Sequence, residues 1–247
     1  MRYFIQLSYN GSAYHGWQIQ PNAVTIQETL QDALSKLLNT KLSITGAGRT
    51  DTGVHASQMF AHFDIDETID TDTLRFKLNS FLPKDIAIQS VFQVNDDAHA
   101  RFHAIKRSYE YKIALKKDVF QFDYAYYLHQ DFDVDRMNEA ANILLEYTDF
   151  QCFSKSNTDV KTYNCKIEYA QWKQEDDMLI FTISADRFLR NMVRAIVGTL
   201  ITIGLGKCEV NDMHKIIASK NRGEAGFSVP AKGLYLTEVL YPNGIVM

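Results

Sequence analysis

Segments with apolar residues at every second position recur along this 247-residue chain, and segments with helical spacing lie between them. The alternation predicts strands at residues 2–9, 57–65, 86–94, 108–115, 163–172, 178–184 and 234–240. Helical spacing predicts helices at residues 26–38, 71–81, 134–147, 189–201 and 212–219. Alternating strands with one buried face are typical of antiparallel sheets. The pattern therefore predicts an α+β fold with a large, mostly antiparallel sheet and flanking helices.

The second half of the chain repeats this order loosely, and no linker rich in proline, glycine or serine divides it. Two closely joined parts, residues 1–105 and 106–247, are therefore expected. The longest apolar stretch, residues 192–205, is too short to span a bilayer, so no membrane role is predicted. Three widely spaced cysteines without a secretory signal predict reduced thiols in the cytoplasm rather than a disulfide framework or a zinc site.

The charge distribution is uneven although the net charge is only −4, which argues against a protein that coats nucleic acid indiscriminately. Residues 101–117 contain six lysines and arginines against one acidic residue. Residues 187–222 contain seven against two. Such runs are usually solvated faces, but two basic segments in an acidic protein also permit a localised site for a polyanion.

The loop at residues 46–56 lies between a predicted helix and a predicted strand. It contains three glycines and three functional side chains: Gly46, Gly48, Gly53, Arg49, Asp51 and His55. Glycines permit tight turns and the close approach of a ligand. An arginine beside Asp51 favours the ionised carboxylate, which suits a nucleophile, and a structural ion pair is the alternative. The loop lacks the Lys-Ser/Thr of a phosphate-binding loop, the chain lacks GxSxG, and its histidines lack metal-ligand spacing.

Two further segments carry candidate side chains. Tyr109 and Tyr111 lie on one face of a predicted strand, where such a pair is ordinarily core packing. Arg190 and Arg194 are four residues apart on the predicted helix 189–201. Arg194 falls close to the buried side of that helix, where a guanidinium needs an anionic partner, and Asp51 is a reasonable one.

Six separate blocks in order resemble the TruA-type tRNA pseudouridine synthases, and the likeness runs nearly end to end. The blocks are residues 9–18 with 25–27, residues 49–56 (RTDTGVHA), 78–86, 100–111, 188–198 and 233–236. The resemblance implies the pseudouridine synthase fold, with two similar halves around a central cleft. Two segments depart from the family pattern, residues 154–165 and 228–233, and neither removes a catalytic residue.

The resemblance also implies a role for each candidate residue. Asp51 is the nucleophile that allows the glycosidic bond of a uridine to break and re-form at carbon. Tyr109 lies against the flipped base and takes part in removing the C5 proton, and Arg194 pairs with Asp51. The RNA contacts are expected at Arg49, His55, Arg101, Lys106, Arg107 and Arg190, of which Arg49 and His55 alternatively support the loop.

The family's substrate is the anticodon stem-loop of tRNA, at positions 38 to 40. Its members are homodimers whose joint basic cleft holds the tRNA, and they need neither a cofactor nor a metal. The sequence leaves open a synthase with another RNA target and a non-catalytic RNA-binding protein of the same fold. A carboxylate-based glycosidase is a further rival. Attack by Asp51 on ribose C1′ and attack on base C6 also remain alternatives.

Overall fold

The computed structural model describes residues 1–156 and 160–245. The strands of this described part are β1 (Arg2–Tyr9), β2 (Thr45–Gly46), β3 (His55–Asp64), β4 (Ile86–Val94), β5 (Lys106–Ala114), β6 (Tyr126–Tyr127), β7 (Ile167–Glu175), β8 (Met178–Ala185) and β9 (Leu234–Leu240). The α-helices are α1 (Ile26–Leu37), α2 (Thr71–Phe81), α3 (Val134–Ile143), α4 (Met192–Gly204) and α5 (Asp212–Ser219). The α+β class is thereby confirmed.

The chain divides into two compact units, Met1–Lys106 with Tyr235–Met247, and Arg107–Leu234. The last strand thus belongs to the first unit, whereas a division at residue 105 places it in the second part. That residues 1–105 and 106–247 act as one catalytic body stays a prediction. Within the described residues, no helix is long and apolar enough to cross a membrane.

In the first unit, strand β1 lies between β4 and β3 and pairs antiparallel with both. Strand β9 joins the other side of β3 in parallel, and β2 also pairs with β3. Tyr9, at the end of β1, is opposite Ala56 on β3 and Ile86 on β4. The loops that follow β1 and precede β3 and β4 therefore meet at one end of this sheet.

Local signals explain the two helices of this unit. Thr25 caps α1 by accepting a hydrogen bond from the backbone N–H of Glu28 at 3.3 Å. Asp70 caps α2 in the same way, from the N–H of Thr73 at 3.1 Å. The predicted bounds of α2 and β4 are confirmed.

In the second unit, β8 lies between β5 and β7 and pairs antiparallel with both, while β6 pairs parallel with β5. Helix α4 is buried nearly all round, with eleven of its thirteen residues inaccessible. A helix that is apolar on every side belongs in a core, and α3 packs against it and against β7.

Several predicted bounds in this unit were wrong, among them the starts of one strand and one helix. Strand β7 begins at Ile167 rather than at residue 163, because Asn164 forms an isolated bridge with Asp149 instead of extending the hairpin. The helix predicted from residue 189 begins at Met192, because Asn191 is in the left-handed region with φ of 68°. The divergent segment 154–165 lies partly outside the described residues, at positions 157–159.

Candidate active site

The Asp51 loop, defined here as residues 47–54, connects β2 to β3. It begins with a hydrogen bond from the N–H of Ala47 to the carbonyl of Phe60, at 2.8 Å. It closes with one from the N–H of Val54 to the carbonyl of Asp51, at 3.1 Å. The Asp51 side chain is half-buried. A carboxylate in this position is held by a turn yet remains accessible.

A second segment, the support loop at residues 10–18, holds the Asp51 loop on both sides of the carboxylate. The N–H of Trp17 donates to the carbonyl of Thr50 at 3.2 Å, and the N–H of Gly53 donates to the carbonyl of Tyr14 at 3.3 Å. The hydroxyl of Tyr9, at the end of β1, lies 2.9 Å from that of Thr50. The backbone before and after Asp51 is therefore fixed by the residues that follow β1.

The three glycines of the predicted loop stand in different surroundings. A β-carbon at Gly46 would overlap the buried indole of Trp17, and Gly53 has φ of 77°, where only glycine is unstrained. A β-carbon at Gly48 would meet no atom within 4 Å. Gly46 therefore serves the packing and Gly53 the turn, whereas a side chain at Gly48 would point into open space.

His55, predicted to contact RNA or to support the loop, is only 2% exposed. Its Nδ1 accepts a hydrogen bond from the N–H of Gly11 at 3.1 Å. Its ring stacks on Tyr235 of β9, with centroids 4.7 Å apart. These contacts connect β3, β9 and the support loop, and they give His55 the loop-supporting role.

Three predicted RNA contacts of the first unit lie at or near its surface. Arg49 is exposed, and its Nε donates to Oε1 of Gln18 at 3.2 Å. Arg101 is exposed and lies 5.6 Å from the ring centre of Phe102. Lys106 is half-buried and forms an ion pair with Glu238 at 2.9 Å.

In the second unit, the predicted tyrosine pair divides into two environments. Tyr109 is half-buried on β5, opposite Ile183 on β8, and meets the ring of Phe188 edge-on at 5.2 Å. Tyr111 is fully buried, and its hydroxyl donates to the carbonyl of Pro230 at 2.9 Å. Burial raises the pKa of Tyr111 well above its usual range. Of the two, Tyr109 is the one that a ligand can reach.

Arg194 lies in the first turn of α4 and is tied to the segment that leads towards β9. Its Nε donates to the carbonyl of Val229 at 2.7 Å, while its own carbonyl accepts from the N–H of Val229 at 3.3 Å. Arg190 is not on the same helix, because the chain turns at Asn191 before α4 begins. The predicted spacing of Arg190 and Arg194 along one helix was therefore wrong. Arg190 is exposed, and its carbonyl accepts from the N–H of Lys155 at 3.0 Å.

The turn before α4 is supported by a small polar network. Asn191 Nδ2 donates to the hydroxyl of Ser228 at 2.7 Å, and Arg222 Nη2 donates to the same hydroxyl at 2.9 Å. Arg222 Nη1 also donates to the carbonyl of Gly226 at 3.0 Å. The network holds the segment before Val229 against the start of α4. Arg107, at the start of this unit, donates from Nη1 to the carbonyl of Asp186 at 2.8 Å.

The two basic segments are less charged in space than along the chain. Five of their lysines form ion pairs with acidic residues: Lys106–Glu238, Lys112–Glu110, Lys116–Asp177, Lys215–Asp212 and Lys220–Asp149. Three of these five acids lie outside the segments in sequence, so acidic residues from elsewhere in the chain neutralise part of the positive charge counted along each segment.

Three ionisable side chains away from these loops, Cys152, Cys165 and His62, are buried in the core. Burial raises the pKa of Cys152 and of Cys165 to about 12, so both are ordinary thiols at neutral pH. Burial, with a smaller effect from the positive charge of Arg2, lowers the pKa of His62 to about 4. Within residues 1–156 and 160–245, no three His, Cys, Asp or Glu side chains form a group suited to a metal ion.

Sequence reasoning missed Tyr14 and Asp85. Both stand in blocks that carried the resemblance, but neither was a candidate for the site. The Tyr14 hydroxyl donates to Oδ1 of Asp85 at 2.7 Å although 71 residues separate them. No periodicity or spacing in the sequence reports such a bond. Asp51 is in the first unit while Tyr109 and Arg194 are in the second, so their predicted meeting stays a prediction.

Comparison with known proteins identifies relatives along nearly the whole chain. A family model described as tRNA pseudouridine synthase matches residues 6–103 and 140–242, which include Asp51 and Arg194 but not Tyr109. A protein of Bacteroides fragilis named tRNA pseudouridine synthase A is 54% identical over 99% of this chain and 98% of its own length. Its namesake in Parabacteroides distasonis is 52% identical over 98% and 96%. That of Bacillus licheniformis is 39% identical over 98% and 100%.

Proposed function

Because this chain belongs to the tRNA pseudouridine synthase family, we propose that it isomerises uridine to pseudouridine in the anticodon stem-loop of tRNA, at positions 38 to 40. The observation that carries the proposal is that relatives named tRNA pseudouridine synthase A match this chain over nearly its whole length. The pinned Asp51 loop supports it, because a half-buried carboxylate on a fixed backbone is what a covalent step requires.

The reaction is an intramolecular transfer, so the enzyme is an isomerase. The bond between N1 of the base and C1′ of the ribose breaks, and a bond between C5 and C1′ forms. The C5 proton leaves and N1 gains a proton, so substrate and product contain the same atoms and electrons. No oxidant, reductant or group donor is consumed, and side chains alone can perform the proton transfers.

Asp51 is the nucleophile in this proposal. A uridine inside the stem cannot be reached, so the nucleotide leaves the stack and enters the site. The open space at Gly48, three residues before Asp51, gives the extruded nucleotide room to approach. Attack on C1′ and attack on C6 both use the same carboxylate, and both end in the same product.

Tyr109 and Arg194 complete the site in this proposal. Tyr109 lies against the flipped base and takes part in removing the proton from C5. Arg194 keeps Asp51 ionised, since a neighbouring guanidinium favours the charged carboxylate. Its Nε is already engaged with Val229, so the pair to Asp51 uses the terminal nitrogens.

The RNA is held by phosphate contacts from the exposed arginines Arg49, Arg101 and Arg190, with Lys106 and Arg107 nearby in sequence. We also propose that the enzyme acts as a homodimer in the cytoplasm. The size of the substrate supports a dimer, because a tRNA is long compared with one chain of this size and the basic surfaces of two chains can share it.

The test is pseudouridine mapping in a tRNA transcript with uridines at positions 38, 39 and 40. The wild type is expected to modify them, and Asp51→Asn, which keeps the shape and removes the charge, is expected to abolish modification. Asp66→Asn, the same change at an exposed carboxylate, serves as the matched control and should modify normally. Undiminished modification by Asp51→Asn would refute the nucleophile assignment. A wild type that binds the transcript without modifying it would instead identify a binding protein.

A further inference from the structure

A hydrogen bond between Tyr14 and Asp85 lies at the base of the support loop. The Tyr14 side chain is only 5% exposed, and its hydroxyl donates to Oδ1 of Asp85 at 2.7 Å. Burial, together with the neighbouring Asp85, raises the pKa of Tyr14, so the phenol keeps its proton and remains a donor. Neither residue belongs to the proposed chemistry.

Asp85 holds the support loop at two points. Its carboxylate receives the Tyr14 hydroxyl, and its backbone carbonyl accepts from the N–H of Asn10 at 2.9 Å. Asp85 itself immediately precedes Ile86, the first residue of β4, and β4 is paired along its length with β1. The support loop is therefore anchored at the start of β4, which the sheet holds through its pairing with β1.

Tyr14 passes this anchorage to the Asp51 loop through its main chain. The carbonyl of Tyr14 accepts the N–H of Gly53, two residues after Asp51, at 3.3 Å. Gly53 is at φ of 77°, so its orientation depends on the contacts that hold it. The nearby Gly16 has no room for a side chain, because a β-carbon there would overlap the carbonyl of Thr50. The main chains of the support loop and the Asp51 loop are therefore in close contact.

We propose that Tyr14 is a positioning residue, whose hydroxyl bond to Asp85 fixes its carbonyl on Gly53 and thereby sets the direction of the Asp51 carboxylate. This inference rests on the proposed function for its effect on the reaction. The loop geometry is independent of that function. A displacement of about 1 Å at a reacting group costs about 100-fold in rate, so a lost anchor affects turnover before it affects substrate binding.

The experiment compares Tyr14→Phe, Asp85→Ala and Asp85→Asn in the full chain. Tyr14→Phe and Asp85→Ala each remove the bond and should lower kcat by about 10- to 100-fold with KM unchanged. Asp85→Asn keeps an oxygen that accepts the hydroxyl, and it should restore kcat to within about threefold of wild type. The double variant Tyr14→Phe with Asp85→Ala should lose no more than either single variant.

Amide hydrogen exchange gives a readout that does not depend on activity. Gly53 should exchange faster in Tyr14→Phe, whereas Ala47, which donates to Phe60 in the same loop, should be unchanged. Tyr147→Phe is the matched control, since it removes a part-buried hydroxyl that lies 2.8 Å from His214. That variant should leave both kcat and Gly53 exchange unchanged.

Unchanged Gly53 exchange in Tyr14→Phe would overturn the positioning role. So would faster exchange accompanied by a wild-type kcat, or an Asp85→Asn variant as slow as Asp85→Ala. A wild type that forms no pseudouridine overturns the proposed function instead. In that case the exchange of Gly53 against Ala47 decides alone whether Tyr14 holds the Asp51 loop.

Discussion

Arg194 and Val229 are joined by two reciprocal hydrogen bonds. The Nε of Arg194 donates to the carbonyl of Val229 at 2.7 Å, and the N–H of Val229 donates to the carbonyl of Arg194 at 3.3 Å. Because the guanidinium is planar, fixing Nε also fixes the plane in which the terminal nitrogens lie. The segment before β9 therefore fixes the orientation of the Arg194 guanidinium, whereas the single nitrogen of a lysine could not be oriented in this way.

Arg194→Lys is expected to lower the rate of pseudouridine formation by at least about 100-fold. Under the proposed function, arginine bonds the Val229 carbonyl through Nε and the carboxylate of Asp51 through its terminal nitrogens, whereas a lysine has one nitrogen and can bond only one of the two. Single-turnover kinetics on a tRNA transcript measure the loss. Arg136→Lys is the control, because Arg136 also bonds a carbonyl, that of Cys208, and a carboxylate, that of Glu209. A normal rate in Arg194→Lys would show that the fork is not needed.

Asn191→Ala is expected to lower the free energy of unfolding by about 2 kcal/mol. The change removes the bond to Ser228 and leaves a residue with a β-carbon at φ of 68°. Asn191→Gly loses the same bond but relieves the backbone, so it should cost about 1 kcal/mol less. Urea unfolding of both variants measures the difference. Equal losses would mean that the left-handed turn before α4 carries no strain.

Gly46→Ala and Gly48→Ala form a matched pair in one loop. Gly46→Ala should destabilise the fold by about 1–3 kcal/mol, because its β-carbon meets the buried Trp17 indole. Gly48→Ala should change stability by less than about 0.5 kcal/mol, since its β-carbon meets no atom of the chain. Under the proposed function, Gly48→Ala should raise KM for tRNA, because its β-carbon narrows the space for the extruded nucleotide. An unaltered KM would place the extruded nucleotide away from Gly48.

His62 makes the first unit sensitive to mild acid. Its Nδ1 accepts the N–H of Ala100 at 3.2 Å, a bond that requires the neutral ring. Burial, then the positive charges of Arg2 and His99, lower the pKa of His62 from its usual 6.5 to about 4, against an opposing effect of Asp64. Between these values the unfolded chain binds a proton that the folded chain does not. Stability is therefore full above about pH 6.5 and falls as the pH drops towards 4, by at most about 3 kcal/mol.

Urea unfolding at several pH values between about 7 and 4 measures this loss. His62→Asn keeps an acceptor for Ala100 but does not titrate in that window, so its stability should vary less with pH. Asp64, whose pKa is lowered mainly by its hydrogen bond to Arg2, loses its contribution below the same window. A variant with the same pH dependence as the wild type would exclude His62 as the source.

Much of the fold could be predicted because its signals are local. Helix α2 has an Asp70 cap before it and Pro83 after it, and both bounds were predicted. The start of α4 was missed because the apolar spacing continues back to Leu189, which is buried yet outside the helix. Only the left-handed Asn191 marks the true start, and asparagine permits that conformation without requiring it.

The residue types marked Asp51 as a candidate, but they did not show what supports its loop. An arginine beside Asp51 suits a nucleophile and equally suits a structural ion pair, and the resemblance alone implied the nucleophile. The bond from Tyr14 to Asp85 joins segments far apart in the chain, so it has no local signature. For His55 the sequence left an RNA contact and support of the loop as alternatives, and the distant partners that bury it, the N–H of Gly11 and the ring of Tyr235, have no local signature either.

The stacking of His55 on Tyr235 cannot form until late in synthesis, because the ribosome adds Tyr235 180 residues after His55. At about 5–20 residues per second this takes about 9–36 s. During that interval the growing polypeptide lacks the strand that pairs with β3 at His55 and Ala56, and an unpaired strand segment favours association with other chains. This part of β3 is therefore most prone to such association before β9 is synthesised.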